Sequence, residues 1–244
     1  MEKKYALFIA FFITLVIAGN WLFFYDFSEF EREKVLISKV LDGDTVELED
    51  GRRIRLLNIN AEEKARAFGD EALNYLKEFE NKEVELEKEG VDLYGRILGR
   101  IYFENDYLNL KLVEIGLAHK YLVDENELKE FERFEDKARE QEIGIWKKSE
   151  HYGCLSASIN KKEEYVIIED SCGLNFNVWT LKDESTKQYK FKDISFDSIK
   201  IYSEKGDDSQ NELYWGRGKA WNDDKDAIFI RDSEGFLVYY DSYS

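Results

Sequence analysis

Proline is missing from all 244 residues, which excludes polyproline linkers and any cis-proline turn. Cysteine is almost as scarce. Cys154 and Cys172 allow a single pairing, and only His119 and His151 could join them around zinc, without ligand spacing, so a zinc centre is poorly supported and neither histidine is assigned a role. Positive charge is in deficit: 35 Lys and Arg against 52 Asp and Glu leave a net charge of -17. That excludes a protein coating nucleic acid by bulk attraction; contact with a polyanion has to be local. What the chain does have is apolar surface. With 43% hydrophobic and 15% aromatic residues it is no disordered polyelectrolyte, and its 244 residues exceed one typical domain of ~100–150, which predicts two folded units plus accessories.

The longest uncharged run is Tyr5–Tyr25, YALFIAFFITLVIAGNWLFFY. As a helix rising ~1.5 Å per residue it reaches across a hydrocarbon core of ~30 Å, so residues 1–25 are expected to be a membrane anchor. Lys3 and Lys4 precede the run and Asp26, Glu29 and Glu31 follow it, which places the N-terminus inside and the rest outside. A cleaved signal peptide, and hence a secreted protein, is the alternative, although the run exceeds a usual apolar core of ~7–15 residues. An exported chain keeps disulfides, so Cys154 and Cys172 are expected to be bonded, with two free thiols as the other reading.

After a linker at 26–33, the segments Val35–Leu48 and Arg53–Ile59 flank Asp50-Gly51 as a β-hairpin. Helical spacing of apolar residues marks Ala65–Phe79, Leu108–Ile115 and Leu128–Glu142, and strands are expected at Val84–Leu86 and Ile97–Tyr102. The first unit, 34–148, is thus a small α+β barrel with three helices. Beyond a second linker at 149–158, short strand candidates (Tyr165–Ile168, Phe176–Leu181, Ile199–Tyr202, Ala227–Arg231, Leu237–Tyr240) alternate with Asp, Gly, Asn and Ser turns. Residues 159–244 therefore read as an all-β sandwich.

The hairpin brings Asp42-Gly43-Asp44 near Asn58–Glu63, so oxygen donors converge: Asp44, the Asn60 amide and nearby carbonyls suit a hard cation such as Ca²⁺. An EF-hand is excluded because Val46 fills the third ligand position. Arg55 offers a fork matched to phosphate, and Arg96 follows the Gly95 turn. No Ser-His-Asp or Cys-His set competes.

In order, VLDGDTVEL, IRLLNINAEE, FGDEA, DLYGRILGRIY, LNLKLVEIGLA and EIGIW resemble the staphylococcal nuclease family over nearly the whole first unit. The resemblance implies a five-stranded OB-fold barrel that takes single-stranded DNA or RNA and hydrolyses its phosphodiester bonds with Ca²⁺. On the matching positions, Asp44, Asn60 and the Ala61 carbonyl would hold the metal, with Asp42 behind Asp44. Arg55 and Arg96 would neutralise the phosphate, Glu63 would act as general base, and Tyr94 and Tyr121 would line the substrate site. Two positions depart from the family pattern Asp-Thr/Ala-Pro-Glu: Asn60 removes a negative charge, and Glu62 replaces Pro, which is expected to loosen the loop that aims Glu63. The rival function is a catalytically impaired surface protein binding nucleic acid or wall polymer; a calcium-stabilised structural module is a third.

The second unit resembles the lamin tail domain, an immunoglobulin-like sandwich, through EYVIIED, FNVWTLKDES, YKF and LYWGRGKAWNDDKDAIFIRDSEGFLVYYDSYS, with Val178 where the family tends to have Gly. The resemblance implies an adhesion or tethering module without a catalytic set.

Overall fold

The structure, a computed structural model, describes residues 32–243, so the expected anchor at 5–25 lies outside the described residues. Among the described residues no helix is long and apolar enough to cross a membrane. From Lys34 onward the chain forms one compact unit.

Its first half contains β1 (Glu33–Asp42), β2 (Thr45–Leu48), β3 (Arg53–Leu56), β4 (Ile59–Ala61), α1 (Gly69–Lys77), β5 (Glu83–Val91), β6 (Ile97–Phe103), β7 (Asp106–Tyr107), α2 (Leu108–Glu114), β8 (Ala118–Lys120) and α3 (Glu125–Glu140). The strand order β3-β2-β1-β5-β6 closes on itself because β6 also pairs with β3, Ile54 opposite Ile97, giving a five-stranded barrel with three helices. Alternate residues of each strand (Val35, Ile37, Val46, Leu48, Ile54, Leu56, Val84, Leu86) point into one core with Ala72, Leu73 and Leu76 of α1 and Leu112 of α2. Each fully buried aliphatic side chain contributes about 1.5–3 kcal/mol.

Local chemistry moves several expected boundaries. The single strand expected over Val35–Leu48 is two, β1 and β2, because the chain reverses at Gly43-Asp44 and Asp42 pairs with Thr45. The segment Arg53–Ile59 breaks at Asn58, whose φ of 66° ends β3, a conformation asparagine tolerates. The helix expected from Ala65 begins only at Gly69, since Ala65 and Phe68 both have φ of 66°, outside any right-handed helix.

The second half contains β9 (Leu155–Asn160), β10 (Tyr165–Asp170), β11 (Thr180–Lys182), β12 (Gln188–Lys190), β13 (Ser198–Tyr202), β14 (Glu212–Tyr214), β15 (Asp226–Arg231) and β16 (Leu237–Tyr243). They form two four-stranded sheets, β14-β13-β10-β9 and β12-β11-β15-β16, around a core that includes Val166, Ile168, Ile201, Leu181, Ile228 and Ile230. Phe176, expected to open a strand, lies in a turn ahead of the short β11, because the Asn175 side chain accepts the Asn177 N–H and Val178 adopts φ of 67°. The stretch 149–158, expected as a linker, already carries the start of β9 at Leu155. Cys154 is disulfide-bonded to Cys172, Cα atoms 5.5 Å apart, stapling the start of β9 to the end of the antiparallel β10.

The halves share a packed seam. Strand β15 is buried on both faces: Ile228 and Ile230 enter the sandwich core, while Ala227 and Phe229 meet Ala138 of α3, Ile145 and Trp146. The Arg231 guanidinium donates to the Ile145 carbonyl at 2.6 Å, and Lys148 bridges to Leu237.

Candidate active site

The turn between β1 and β2 sets the first functional group. The Asp42 carboxylate accepts the Asp44 N–H at 3.1 Å, and the Asp44 carbonyl accepts the Leu56 N–H at 2.9 Å. The Asp44 side chain is thereby aimed at β4, where Oδ2 accepts the Ala61 N–H at 3.2 Å, while Oδ1 accepts the Thr45 hydroxyl at 3.0 Å. Burial pushes its pKa up to about 6 despite Arg55, and Asp42 adds to the rise.

On β3, Arg55 Nη2 lies 3.1 Å from Asp44 Oδ2 and 3.2 Å from Asn60 Oδ1, so the two proposed metal-binding oxygens converge on one guanidinium nitrogen. Arg96 is set by an Asp92-based turn. Asp92 accepts the N–H groups of Tyr94 and Arg96 at 2.8 and 2.9 Å, Gly95 supplies the positive φ of 80°, and the Asp92 carboxylate pairs with Arg96 Nε at 2.8 Å. Arg96 Nη1 reaches the Thr45 hydroxyl at 3.3 Å, which ties it to the Asp44 turn. Tyr94 is 86% exposed with the Arg96 guanidinium 5.6 Å from its ring. Tyr121 follows β8, held by its N–H to the Asn58 carbonyl at 2.8 Å; burial raises its phenol, with Asp183 adding to the rise against Arg55.

Asp44, Arg55, Asn60, Ala61, Glu63, Tyr94, Arg96 and Tyr121 all line one cleft of about 430 Å³. Glu63 is exposed within it. The loop carrying Glu63 is pinned by the start of α1, where Gly69 passes so close that a Cβ would sit 2.2 Å from the Glu63 carbonyl oxygen.

The second half of the chain also lines this cleft, through Ser185 and Thr186. Glu62 does not loosen the loop. It is 4% exposed, its Oε1 lies 2.5 Å from Lys182 Nζ and 3.7 Å from Arg231 Nε, and Gln188 donates to Oε2 at 3.4 Å. Burial alone would raise this carboxyl, yet Lys182 and then Arg231 outweigh it and bring the pKa down to about 2. The neighbouring His119 is buried and kept neutral, its pKa pulled down to about 3 by burial and then by Lys182. These groups escape a reading from sequence alone; the one local signal is a lysine in the strand-like run Thr180–Lys182, at a position whose burial depends on a surface folded elsewhere in the chain.

A hard cation fits the donor chemistry: carboxylate and amide oxygens already converge on a positive group, and backbone carbonyls of β4 lie beside them. The set carries little charge, one carboxylate from Asp44 beside the neutral Asn60 amide, and among the described residues no three His, Cys, Asp or Glu side chains cluster as a metal site.

Comparison with known proteins agrees with this geometry. A family described as "Staphylococcal nuclease homologue" matches residues 53–148. The chain is 32% identical to a micrococcal nuclease of Shigella flexneri over 125 residues, 45% of this chain and 71% of that protein. It is 36% identical to an uncharacterized endonuclease of Escherichia coli over 115 residues (45% and 74%) and 29% identical to the thermonuclease of Staphylococcus intermedius over 130 residues (48% and 77%). With the barrel, the ordered cleft and these relatives together, the chain belongs to the staphylococcal nuclease family.

Proposed function

We propose that the protein is a Ca²⁺-dependent endonuclease hydrolysing phosphodiester bonds of single-stranded DNA and RNA. The observation that carries this reading is the cleft in which Glu63, Arg55 and Arg96 face one space beside the oxygens of Asp44 and Asn60. Phosphoryl transfer needs positioning and charge neutralisation more than covalent help. Arg55 and Arg96 present guanidinium forks to the phosphate oxygens, and their carboxylate partners Asp44 and Asp92 hold the forks in place. Glu63, exposed in the cleft, takes the proton of the attacking water. Asp44, Asn60 and the Ala61 carbonyl would hold Ca²⁺, which when bound supplies positive charge for the developing oxyanion. The test is cleavage of single-stranded DNA and RNA by the purified protein with Ca²⁺ or with chelator. Glu63→Ala and Arg55→Ala should each lower kcat by about 10²–10⁴; no hydrolysis at millimolar Ca²⁺, or unchanged rates in both variants, refutes the assignment.

The same reading places the enzyme outside the cell behind an anchor at 5–25, with the sandwich as a lamin-tail-like module. Its supports are the uncharged run behind Lys3 and Lys4 and the Cys154–Cys172 disulfide, which suits an oxidising compartment. Protease added to intact cells should then remove the folded part. A second reading, a surface protein that binds polynucleotide without cutting it, is favoured by Asn60, which leaves Asp44 as the one carboxylate in the proposed cation set; binding without cleavage in the parent chain would select it.

A further inference from the structure

Asn60 and Glu62, the two departures from the family pattern, both face the sandwich. Asn60 uses both ends of its amide: Oδ1 accepts from Arg55 at 3.2 Å, and Nδ2 donates to the Glu184 carbonyl at 2.9 Å. An aspartate has no donor to offer that carbonyl. Glu62 is ion-paired to Lys182, itself 2% exposed, and takes the Gln188 amide as well. Further along the same loop, Arg66 Nη1 donates to the Thr186 carbonyl at 2.9 Å. Loop 60–66 is therefore tied to segment 182–188 at three of its residues, with Glu63 between the ties. Its opposite side is closed by Gly69. The two cations are brought together by register: Lys182 sits opposite Phe229 and Thr180 opposite Arg231, so Lys182 and Arg231 share the sheet face turned to the barrel, where both approach Glu62.

We propose that the sandwich is part of the active site, with Lys182, supported by Arg231, and the backbone of 184–186 acting as positioning elements that hold loop 60–66 and so aim Glu63. A fixed proline ring restrains such a loop from within; here the restraint comes from a second folded unit, and the wall formed by Ser185 and Thr186 comes with it. This inference rests on the nuclease reading for its catalytic consequence, but not for its structural one.

The test uses the full chain and compares Lys182→Met with Leu213→Ala, a core truncation on the sheet that does not carry Lys182. Amide hydrogen exchange across residues 60–66 should rise by about tenfold or more in Lys182→Met and stay at parental levels in Leu213→Ala. In parallel, kcat should fall by about ten- to a hundredfold in Lys182→Met with KM within about twofold, because Glu63 is misaimed while Arg55 and Arg96 still bind phosphate. Lys182→Arg, which keeps a cation against Glu62, should recover most of both losses. If Lys182→Met does not fold, Glu62→Gln takes its place, expected to shift both readouts in the same direction by a smaller factor. Exchange and kcat that respond alike in Lys182→Met and Leu213→Ala overturn the proposal. A parent chain that cuts no substrate refutes the nuclease reading separately, while the exchange data still decide whether the sandwich holds the loop.

Discussion

At the scale of single residues, opposite demands meet at Asn60. A carboxylate there would add charge beside Asp44 and strengthen a cation site, yet it would set an oxygen against the Glu184 carbonyl that now receives the Asn60 amide. Asn60→Asp should therefore lower the Ca²⁺ concentration needed for half-maximal cleavage while costing about 1–3 kcal/mol of stability in calcium-free buffer, the usual penalty for a buried polar group left unpaired. Paired calcium titrations and denaturant melts measure the two effects; a variant equally stable without calcium would show that the link to Glu184 contributes nothing. Val178 is a simpler case. Its φ of 67° is the left-handed region, which costs a β-branched residue about 1–2 kcal/mol, against about 0.5–1 kcal/mol of extra chain entropy for glycine. Val178→Gly should stabilise the protein by several tenths of a kcal/mol, seen as a higher Tm in calorimetry.

At the scale of elements, what could be read from sequence was what each segment does by its own pattern. Alternation in Arg53–Leu56 and the apolar spacing of Ala72, Leu73 and Leu76 announce a barrel strand and the helix against it. The order of Asp44, Arg55, Glu63 and Arg96 announces a cleft that the structure assembles. The breaks at Gly43-Asp44 and Asn58 were hidden because a two-residue reversal leaves the apolar pattern on either side intact. The seam was hidden for a different reason. In the buried run Asp226–Arg231, Phe229 and Arg231 gain their meaning only from Trp146 and Glu62, some 80 or more positions away. Trp146 packs against Phe229 with ring centres 5.9 Å apart, and His119 does so at 5.1 Å. Phe229→Ala should cost about 3–5 kcal/mol, as a core aromatic does, although no boundary-based division of the chain would place it in a core shared by both halves. Urea unfolding of the variant measures this, and a loss below about 1 kcal/mol would mean that the seam is a loose contact.

At the scale of the molecule, the seam's buried charges determine how stability responds to acid. His119 is neutral in the fold, with its pKa near 3, whereas the unfolded chain protonates it near 6.5. Falling pH below 6.5 therefore favours unfolding, by about 1.4 kcal/mol per pH unit. Glu184 acts in the opposite sense. Burial and then the charge of Asp226 raise its pKa to about 7 from 4.5, so the folded chain takes up a proton that the unfolded chain refuses, and stability is gained as pH falls from 7 to 4.5. Between 6.5 and 4.5 the two slopes cancel. Below 4.5 the Glu184 gain is complete, and Glu62, whose pKa is lowered to about 2, begins to lose its charge-dependent stabilisation while His119 continues to oppose folding. Asp44, raised to about 6 from 3.8, adds a gain of the same sign as Glu184 as pH falls from 6 to 3.8. In calcium-free buffer the parent protein should thus hold or slightly gain Tm from pH 6.5 to 4.5 and lose it beneath, most steeply once the Asp44 gain is complete. His119→Phe, which retains an aromatic ring against Phe229, removes one arm of the balance and should become more stable on acidification across that window. Calorimetry over pH 7 to 4 tests both curves, with one transition expected in each because the barrel and the sandwich share a single compact unit. A Tm that falls from pH 6.5 with equal slope in the two proteins would mean that His119 titrates as an ordinary histidine and that the seam admits water.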